Sequence, residues 1–200
     1  MATGSYSSRV VEKETRHTVS LIEPHLDGCR SFLDVGCGAG YVARDLAGRF
    51  EGEIGTVDFT DCRAADTPGF RLFDGVNLPF ADDSFDLVAL SFVLHHVPDV
   101  LKPLLLAEAR RVARRRLFVL EDTPVTLIDR LVSWRHGRRF RRKIGSREDF
   151  GFLTTQGWVR LFELLGLRPT QVHPLSRWCR AYSQPFARTA FVIELSKPAP

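Results

Sequence analysis

Apolar residues recur along this chain in two rhythms, one helical and one strand-like, and the two alternate almost from end to end. Over 9–26, Val11, Val19, Ile22 and Leu26 fall near one face of a helix that Gly28 is placed to end. Short apolar runs at 31–36, 53–58, 69–73, 85–91 and 116–121 have the density of strands buried on both faces. Between them the spacing predicts a helix over 41–50 and another over 100–115 that turns Leu101, Leu104, Leu105 and Val112 toward the sheet. A further helix over 155–165 carries Trp158, Leu161, Phe162 and Leu165 at i, i+3, i+4, i+7, with Gly166 as the residue that closes it. Strands at 170–173 and 189–195 end the pattern and lie close enough to pair. Seven strands alternating with helices predict an α/β fold: a Rossmann-like, doubly wound, mostly parallel sheet with helices on both faces.

Composition adds boundaries to that picture. Two hundred residues, 44% of them hydrophobic, are enough for one domain with a sizeable core, and no repeat or Pro/Gly/Ser-rich linker divides them. Residues 1–8 read as a flexible tail and 9–200 as a single domain. The richest apolar run, 87–94, is far short of the ~18 residues of a membrane span, and the polar start lacks a signal-peptide core, so a cytoplasmic location is expected. Cys29, Cys37, Cys62 and Cys179 form no C-x-x-C pair, which argues against a disulfide framework and against a zinc site. The net charge of +4 conceals a split, −8 over residues 1–100 and +12 over 101–200.

The candidate chemistry begins at Phe32-Leu33-Asp34-Val35-Gly36-Cys37-Gly38-Ala39-Gly40, an apolar strand running straight into a glycine-rich turn and then a helix. Gly36 and Gly38 let the backbone bend sharply and approach a ligand, and Gly40 opens a helix whose free N–H groups face the same place. The spacing is Gly-x-Gly-x-Gly, and Tyr41 stands where dinucleotide enzymes carry their third glycine, which leans away from NAD. The second strand ends at Asp58, close to the ~20-residue offset at which a strand-end acid meets ribose hydroxyls.

Three later blocks join this one: Val57-Asp58, then Leu78-Pro79-Phe80-Ala81-Asp82-Asp83-Ser84-Phe85-Asp86, then Leu94-His95-His96-Val97-Pro98-Asp99. Together the four blocks resemble the class I S-adenosylmethionine-dependent methyltransferases, in their small-molecule branch, over about residues 30–195. The resemblance implies an antiparallel last strand. It also implies S-adenosylmethionine as cofactor, with S-adenosylhomocysteine as product. Asp34 would help hold the ammonium of the methionine part, against the alternative of a carboxylate satisfying loop amides. Gly36, Gly38 and Gly40 would cradle the cofactor, Asp58 would accept from both ribose hydroxyls, and Phe59 would pack on the adenine or in the core. Asp74, beside Gly75, would accept from the adenine amine, and Ser91 with Phe92 would end the fourth strand against the methionine end. His95 and His96 are the candidates for a general base. Their bland alternative is a structural segment leading into the next helix.

Two departures from the family pattern stand out. Only 15 residues separate Asp58 from Asp74, leaving room for a turn or two where the family usually has a helix over the adenine. A Pro-Gly-Gly connector is also missing before the fifth strand. The most unusual composition lies in a basic, lid-like insertion at 124–150. Here Arg130, Arg135, Arg138, Arg139, Arg141, Arg142, Lys143 and Arg147 occur with no acid among residues 130–147, interleaved with Trp134 and Phe140. Such a stretch suits a carboxylate, a phosphate, a carrier protein or an anionic lipid surface, against the alternative of a solvated loop. Nucleic acid is disfavoured, because no RNA-binding module and no Asn/Asp-Pro-Pro-Tyr/Phe motif is present. The expectation is therefore methyl transfer to an O, N or C nucleophile of a small-molecule acceptor, anionic or carrier-bound acceptors included. The alternative from another class is a non-catalytic S-adenosylmethionine-binding partner or regulatory subunit. Oligomeric state stays open.

Overall fold

The computed structural model describes residues 8–64, 66–144, 151–182 and 186–195. All but the last residue of the tail expected at 1–8, and Arg147 of the basic stretch, lie outside them. Seven strands form one sheet in the order β3-β2-β1-β4-β5-β7-β6. These are β1 (Ser31–Val35), β2 (Glu53–Asp58), β3 (Phe70–Leu72), β4 (Phe85–Ser91), β5 (Ala113–Asp122), β6 (Gln171–Leu175) and β7 (Arg188–Glu194). β3, β2, β1, β4 and β5 pair in parallel, and β7 runs antiparallel to both β5 and β6. The doubly wound sheet and its antiparallel closing strand are thus both present. Strand order reverses at β1, whose neighbours are β2 and β4, so the crevice of the fold opens at the carboxyl ends of β1 and β4.

Side-chain alternation assigns the two faces of the sheet. Leu33, Val35, Val88 and Leu90 pack against Leu105, Trp158 and Phe162, while Phe32, Leu87 and Phe118 pack against Val19, Ile22 and Leu46. Helices α3 (Lys102–Val112) and α5 (Thr155–Leu164) cover the first face, and α1 (Ser8–Ile22) and α2 (Tyr41–Ala47) the second. α5 begins as the sequence predicts, with the Thr154 hydroxyl capping the Gly157 N–H.

Several boundaries differ from the sequence expectation, each for a local reason. α1 stops at Ile22, four residues early, because Pro24 lacks an amide hydrogen and the chain continues as a 3-10 turn, Glu23–His25. α2 stops at Ala47, where Gly48 caps it. α3 ends at Val112 instead of 115, since Ala113 turns extended and pairs with Phe85, so that β5 starts three residues early. Its buried stripe is Leu105, Leu106, Ala109 and Val112, and Leu104, expected to face the sheet, is exposed. Among the described residues no helix follows β2 before β3, less than the turn or two for which the short spacing left room.

The basic stretch, left without assigned structure in the sequence, forms an 18-residue helix, α4 (Leu127–Ile144). Among the described residues no helix is long and apolar enough to cross a membrane.

Candidate active site

β1 and β2 are in register with Asp34 opposite Thr56, so the two-residue period places Asp34 and Asp58 on the same face of the sheet. The turn after β1 is fastened to β2, as Gly36 N–H and Cys37 N–H both donate to the Val57 carbonyl, at 2.8 and 3.1 Å. Gly36 and Gly38 hold φ of +70° and +54°. A Cβ on Gly36 would stand 2.6 Å from Val93, whereas the space beside Gly38 is open to 4 Å. Gly40, also left-handed, opens α2 with no side-chain cap. The left-handed glycine turn after β1 is therefore present, with one glycine required by packing and another facing open space.

Two acids sit against this turn. Asp58 accepts from Gly38 N–H at 2.8 Å through one oxygen and from Thr60 N–H at 3.3 Å through the other. Asp34 is 3% exposed, and among the described residues nothing donates a hydrogen bond to it. Burial, and then the nearby Asp58 charge, push its carboxyl up to about 7. The same surroundings push the Cys37 thiol up to about 12, which leaves it an inert filler. A buried acid without a hydrogen-bond donor beside a second acid makes local surroundings that favour a cation.

The other expected positions surround this pair. Phe73 N–H donates to the Asp58 carbonyl at 3.1 Å, which brings Asp74 and Gly75 next to the end of β2. Asp74 is exposed, and its carboxylate is engaged by Val76 N–H, Asn77 N–H and the Asn77 amide at 2.6–2.8 Å. Phe59 is exposed and packs in neither core cluster, which disposes of its core alternative. Ser91 ends β4 with its buried hydroxyl lacking a hydrogen-bond partner among the described residues. Phe92 follows with φ of +59°, an uncommon conformation for a bulky residue, held by its N–H donating to the Leu120 carbonyl at 2.7 Å.

The two histidines are placed differently. His95 is 4% exposed, stacks on Phe152 at 4.8 Å, and puts its Nδ1 2.6 Å from the Glu121 carboxylate. Glu121 also accepts from Leu94 N–H at 2.6 Å, so it fastens this turn to the end of β5. Burial alone would lower the imidazole's pKa, but the Glu121 carboxylate outweighs it and the net direction is upward. His96 is half-buried and its ring lies tilted against that of His95, with centroids 4.1 Å apart. Farther along, the Asp99 carboxylate holds the buried Lys102 ammonium and accepts from Gly151 N–H, while Lys102 donates to the Gly151 carbonyl at 2.7 Å. The His-His-x-Pro-Asp segment is thus a fastening as well as a candidate base.

Sequence reasoning missed three features here. Glu121 left only a weak signal, an acid closing the apolar run Leu117-Phe118-Val119-Leu120. The left-handed Phe92 left none. Beside it, the Arg188 guanidinium is buried 3.0 Å from Asp122 and lies over the Tyr182 ring at 4.2 Å. Burial pushes the Asp122 carboxyl up to about 6 even with Arg188 beside it. Among the described residues no group of histidine, cysteine and acid side chains is arranged to hold a metal ion.

Comparison with known proteins agrees with this geometry. Residues 33–118 match the model of a methyltransferase domain. A ubiquinone/menaquinone biosynthesis C-methyltransferase of Paracoccus denitrificans is 38% identical over 113 residues, which is 48% of this chain and 44% of that protein. A mitochondrial arginine-hydroxylase of Mus musculus is 36% identical over 74 residues, 34% of this chain and 22% of that protein. The chain thus spans less than half the length of the curated relatives it matches. Among solved structures, magnesium protoporphyrin IX methyltransferase of Synechocystis PCC 6803, with bound SAH, superposes with a TM-score of 0.65 at 19% identity, covering 98% of this chain and 90% of that one. That likeness concerns the fold alone. With the seven-stranded sheet and the glycine turn with its strand-end acid in agreement with the matched stretch, the comparisons support a methyltransferase domain over residues 33–118, in a fold like that of S-adenosylmethionine-dependent methyltransferases.

Proposed function

We propose that the chain binds S-adenosylmethionine at the carboxyl edge of β1, β2 and β4 and transfers its methyl group to a small-molecule acceptor. The observation that carries this reading is Asp34, a buried acid lacking a hydrogen-bond donor among the described residues, set beside Asp58 under a turn with open space at Gly38. The ligand these surroundings favour carries positive charge and presents hydroxyls to a strand-end acid. S-adenosylmethionine has an ammonium, a sulfonium and a ribose. NAD has the ribose but brings a negatively charged pyrophosphate toward the two acids. In this assignment Asp34 takes the ammonium. Asp58 exchanges its Gly38 contact for, or shares it with, the ribose hydroxyls. Asp74 and Gly75 lie toward the adenine amine, Phe59 toward the adenine face, and Ser91 with Phe92 toward the methionine end.

When bound, S-adenosylmethionine supplies an already activated methyl donor, so the residues of this chain have to position the partners and exclude water more than perform acid–base chemistry. His95, clamped by Glu121 and Phe152, serves in this reading as a positioning residue. Where a nucleophile needs a base, the less buried His96 is better placed to meet it. The activity in the name of the Paracoccus relative makes a ring carbon one candidate nucleophile. The arginine-rich α4 favours an anionic or surface-bound acceptor. The arginine-hydroxylase relative motivates a second reading, in which a chain of this fold binds the cofactor, or another ligand, without transferring a methyl group.

Calorimetry with S-adenosylmethionine, S-adenosylhomocysteine and NAD tests the first step, with binding of the first two and not the third as the expected result. Methyl transfer from labelled cofactor into a panel of small acceptors tests the second. Tight NAD binding without S-adenosylmethionine binding would overturn the assignment.

A further inference from the structure

Helix α4 is built inside out. Its first turns bury Asp129 and Ser133, one helical turn apart, against the body of the protein. Asp129 accepts from Val125 and Thr126 N–H and pairs with Arg177. The outward face carries Leu127, Ile128, Leu131, Val132 and Trp134, all exposed, with Leu127 at 82% and Trp134 at 57%. Leu127, Leu131 and Trp134 form one stripe at i, i+4, i+7, and Arg138 continues it under the Trp134 ring, 5.4 Å from its centroid. Ile128 and Val132 form a second stripe that continues into Arg135. The contact through Arg177 also brings the neighbouring Trp178, 75% exposed, toward the same end of the helix. A face with aliphatic residues and tryptophan in one half and arginines in the other is costly in water and suited to the boundary between acyl chains and charged headgroups.

We infer that α4 docks the protein on an anionic lipid membrane surface, its leucines and Trp134 entering the interface and its arginines meeting acidic headgroups. Charge complementarity selects this occupant over a second copy of the chain. From residue 130 to its end at 144 the helix holds seven cations and no acid, so two such helices face to face would repel each other. A membrane supplies negative charge and apolar depth together, and small-molecule acceptors of low water solubility would be met at that surface. The inference does not depend on which cofactor binds, since cofactor binding is measured separately.

The test is co-sedimentation of the full chain with phosphatidylcholine vesicles made with and without phosphatidylglycerol, at low and high salt. We expect binding to the anionic vesicles only, and weaker binding as the Debye length falls from ~10 Å at 0.1 M to ~3 Å at 1 M. Leu131→Ser with Trp134→Ser should weaken partitioning at least ~10-fold through lost apolar burial. Arg135→Gln with Arg138→Gln should weaken it roughly 10–30-fold through lost headgroup attraction. All four side chains are exposed, so an unchanged thermal unfolding midpoint serves as the check that each variant is folded. Absence of binding to anionic vesicles, or binding that neither pair of substitutions changes, overturns the inference. So does a dimer in sedimentation analysis that the Leu131 and Trp134 substitutions dissolve, because the face then belongs to a second copy.

Discussion

Replacing Asp34 by asparagine should make the ligand-free protein more stable and the cofactor complex weaker. Asparagine keeps the shape and removes the charge. The acid titrates near 7 in the folded chain and near 4 when unfolded, so the charged form costs up to ~4 kcal/mol of stability above pH 7. Allowing for relaxation and water entry around Asp34 and Asp58, we expect about half of this, ~2 kcal/mol, to be recovered at pH 8. For a chain of this size that raises Tm by roughly 4–8 °C. The sign follows from the direction of the shift. Folding takes up a proton at Asp34, so its contribution is complete below the unfolded value and is lost as pH rises toward 7. The gain from asparagine should therefore vanish near pH 4.

The same charge should serve binding, and its loss should cost ~1.5–3 kcal/mol of S-adenosylmethionine affinity. Wild-type affinity should climb by up to about tenfold per pH unit between pH 5 and 7, as the acid becomes free to ionise, and the variant should respond less. Thermal unfolding across pH, with calorimetry in buffers of different ionisation enthalpy to count released protons, measures both halves. A variant no more stable than wild type at pH 8, or cofactor affinity equally independent of pH in both, would refute the reasoning.

Asp58→Ala should weaken S-adenosylmethionine by ~1.5–3 kcal/mol through lost charged hydrogen bonds, and unchanged affinity in calorimetry would remove it from the ribose position. Gly36→Ala, which sets a Cβ 2.6 Å from Val93 at φ +70°, should cost ~1–3 kcal/mol of stability in denaturant titration. His95→Asn should lower Tm by more than it changes the pH profile of methyl transfer, whereas an altered profile with stability intact would make His95 the base. Without ligand, Tm should peak near pH 5 and decline toward pH 8. Asp34, Asp122 and His95 all have raised folded values and lose their contributions as pH rises through them. On the acid side, the lowered carboxyls Asp86, Glu108 and Asp129 lose theirs. A scan rising steadily to pH 8 would contradict this.

The order of elements was legible because both its signals are local. Apolar runs in Leu33-Asp34-Val35 and Phe85-Asp86-Leu87-Val88 announce buried strands, and the glycines after β1 announce the turn. Boundaries were less legible where neighbours decide them, as at Ala113, which completes β4's pairing instead of finishing α3. Leu104 was misplaced because Leu104, Leu105 and Leu106 offer two overlapping stripes, and packing chose the one through Leu105 and Ala109. α4 was missed as a helix because its inward residues, Asp129 and Ser133, are polar. Its apolar period points to solvent and is masked further by arginines. At the site, the motif names Asp34 and Asp58 but does not reveal that one has a donor and the other lacks one, because that depends on where Gly38 and Thr60 turn their amides.

The knot of Asp99, Lys102 and Gly151 has a consequence for how this protein can change. It pins Gly151, beyond α4, to the start of α3, and the Asp129–Arg177 pair pins the first turn of α4. Between them α4 turns Leu131, Val132 and Trp134 to solvent, a face that owes little to the sheet. Substitutions at exposed positions of this kind usually change stability by no more than ~0.5 kcal/mol. The surface of α4 can be rewritten, leucine for arginine or arginine for acid, while the moorings and the cofactor edge stay as they are. The proposed cofactor edge and the proposed docking face can therefore change independently of each other.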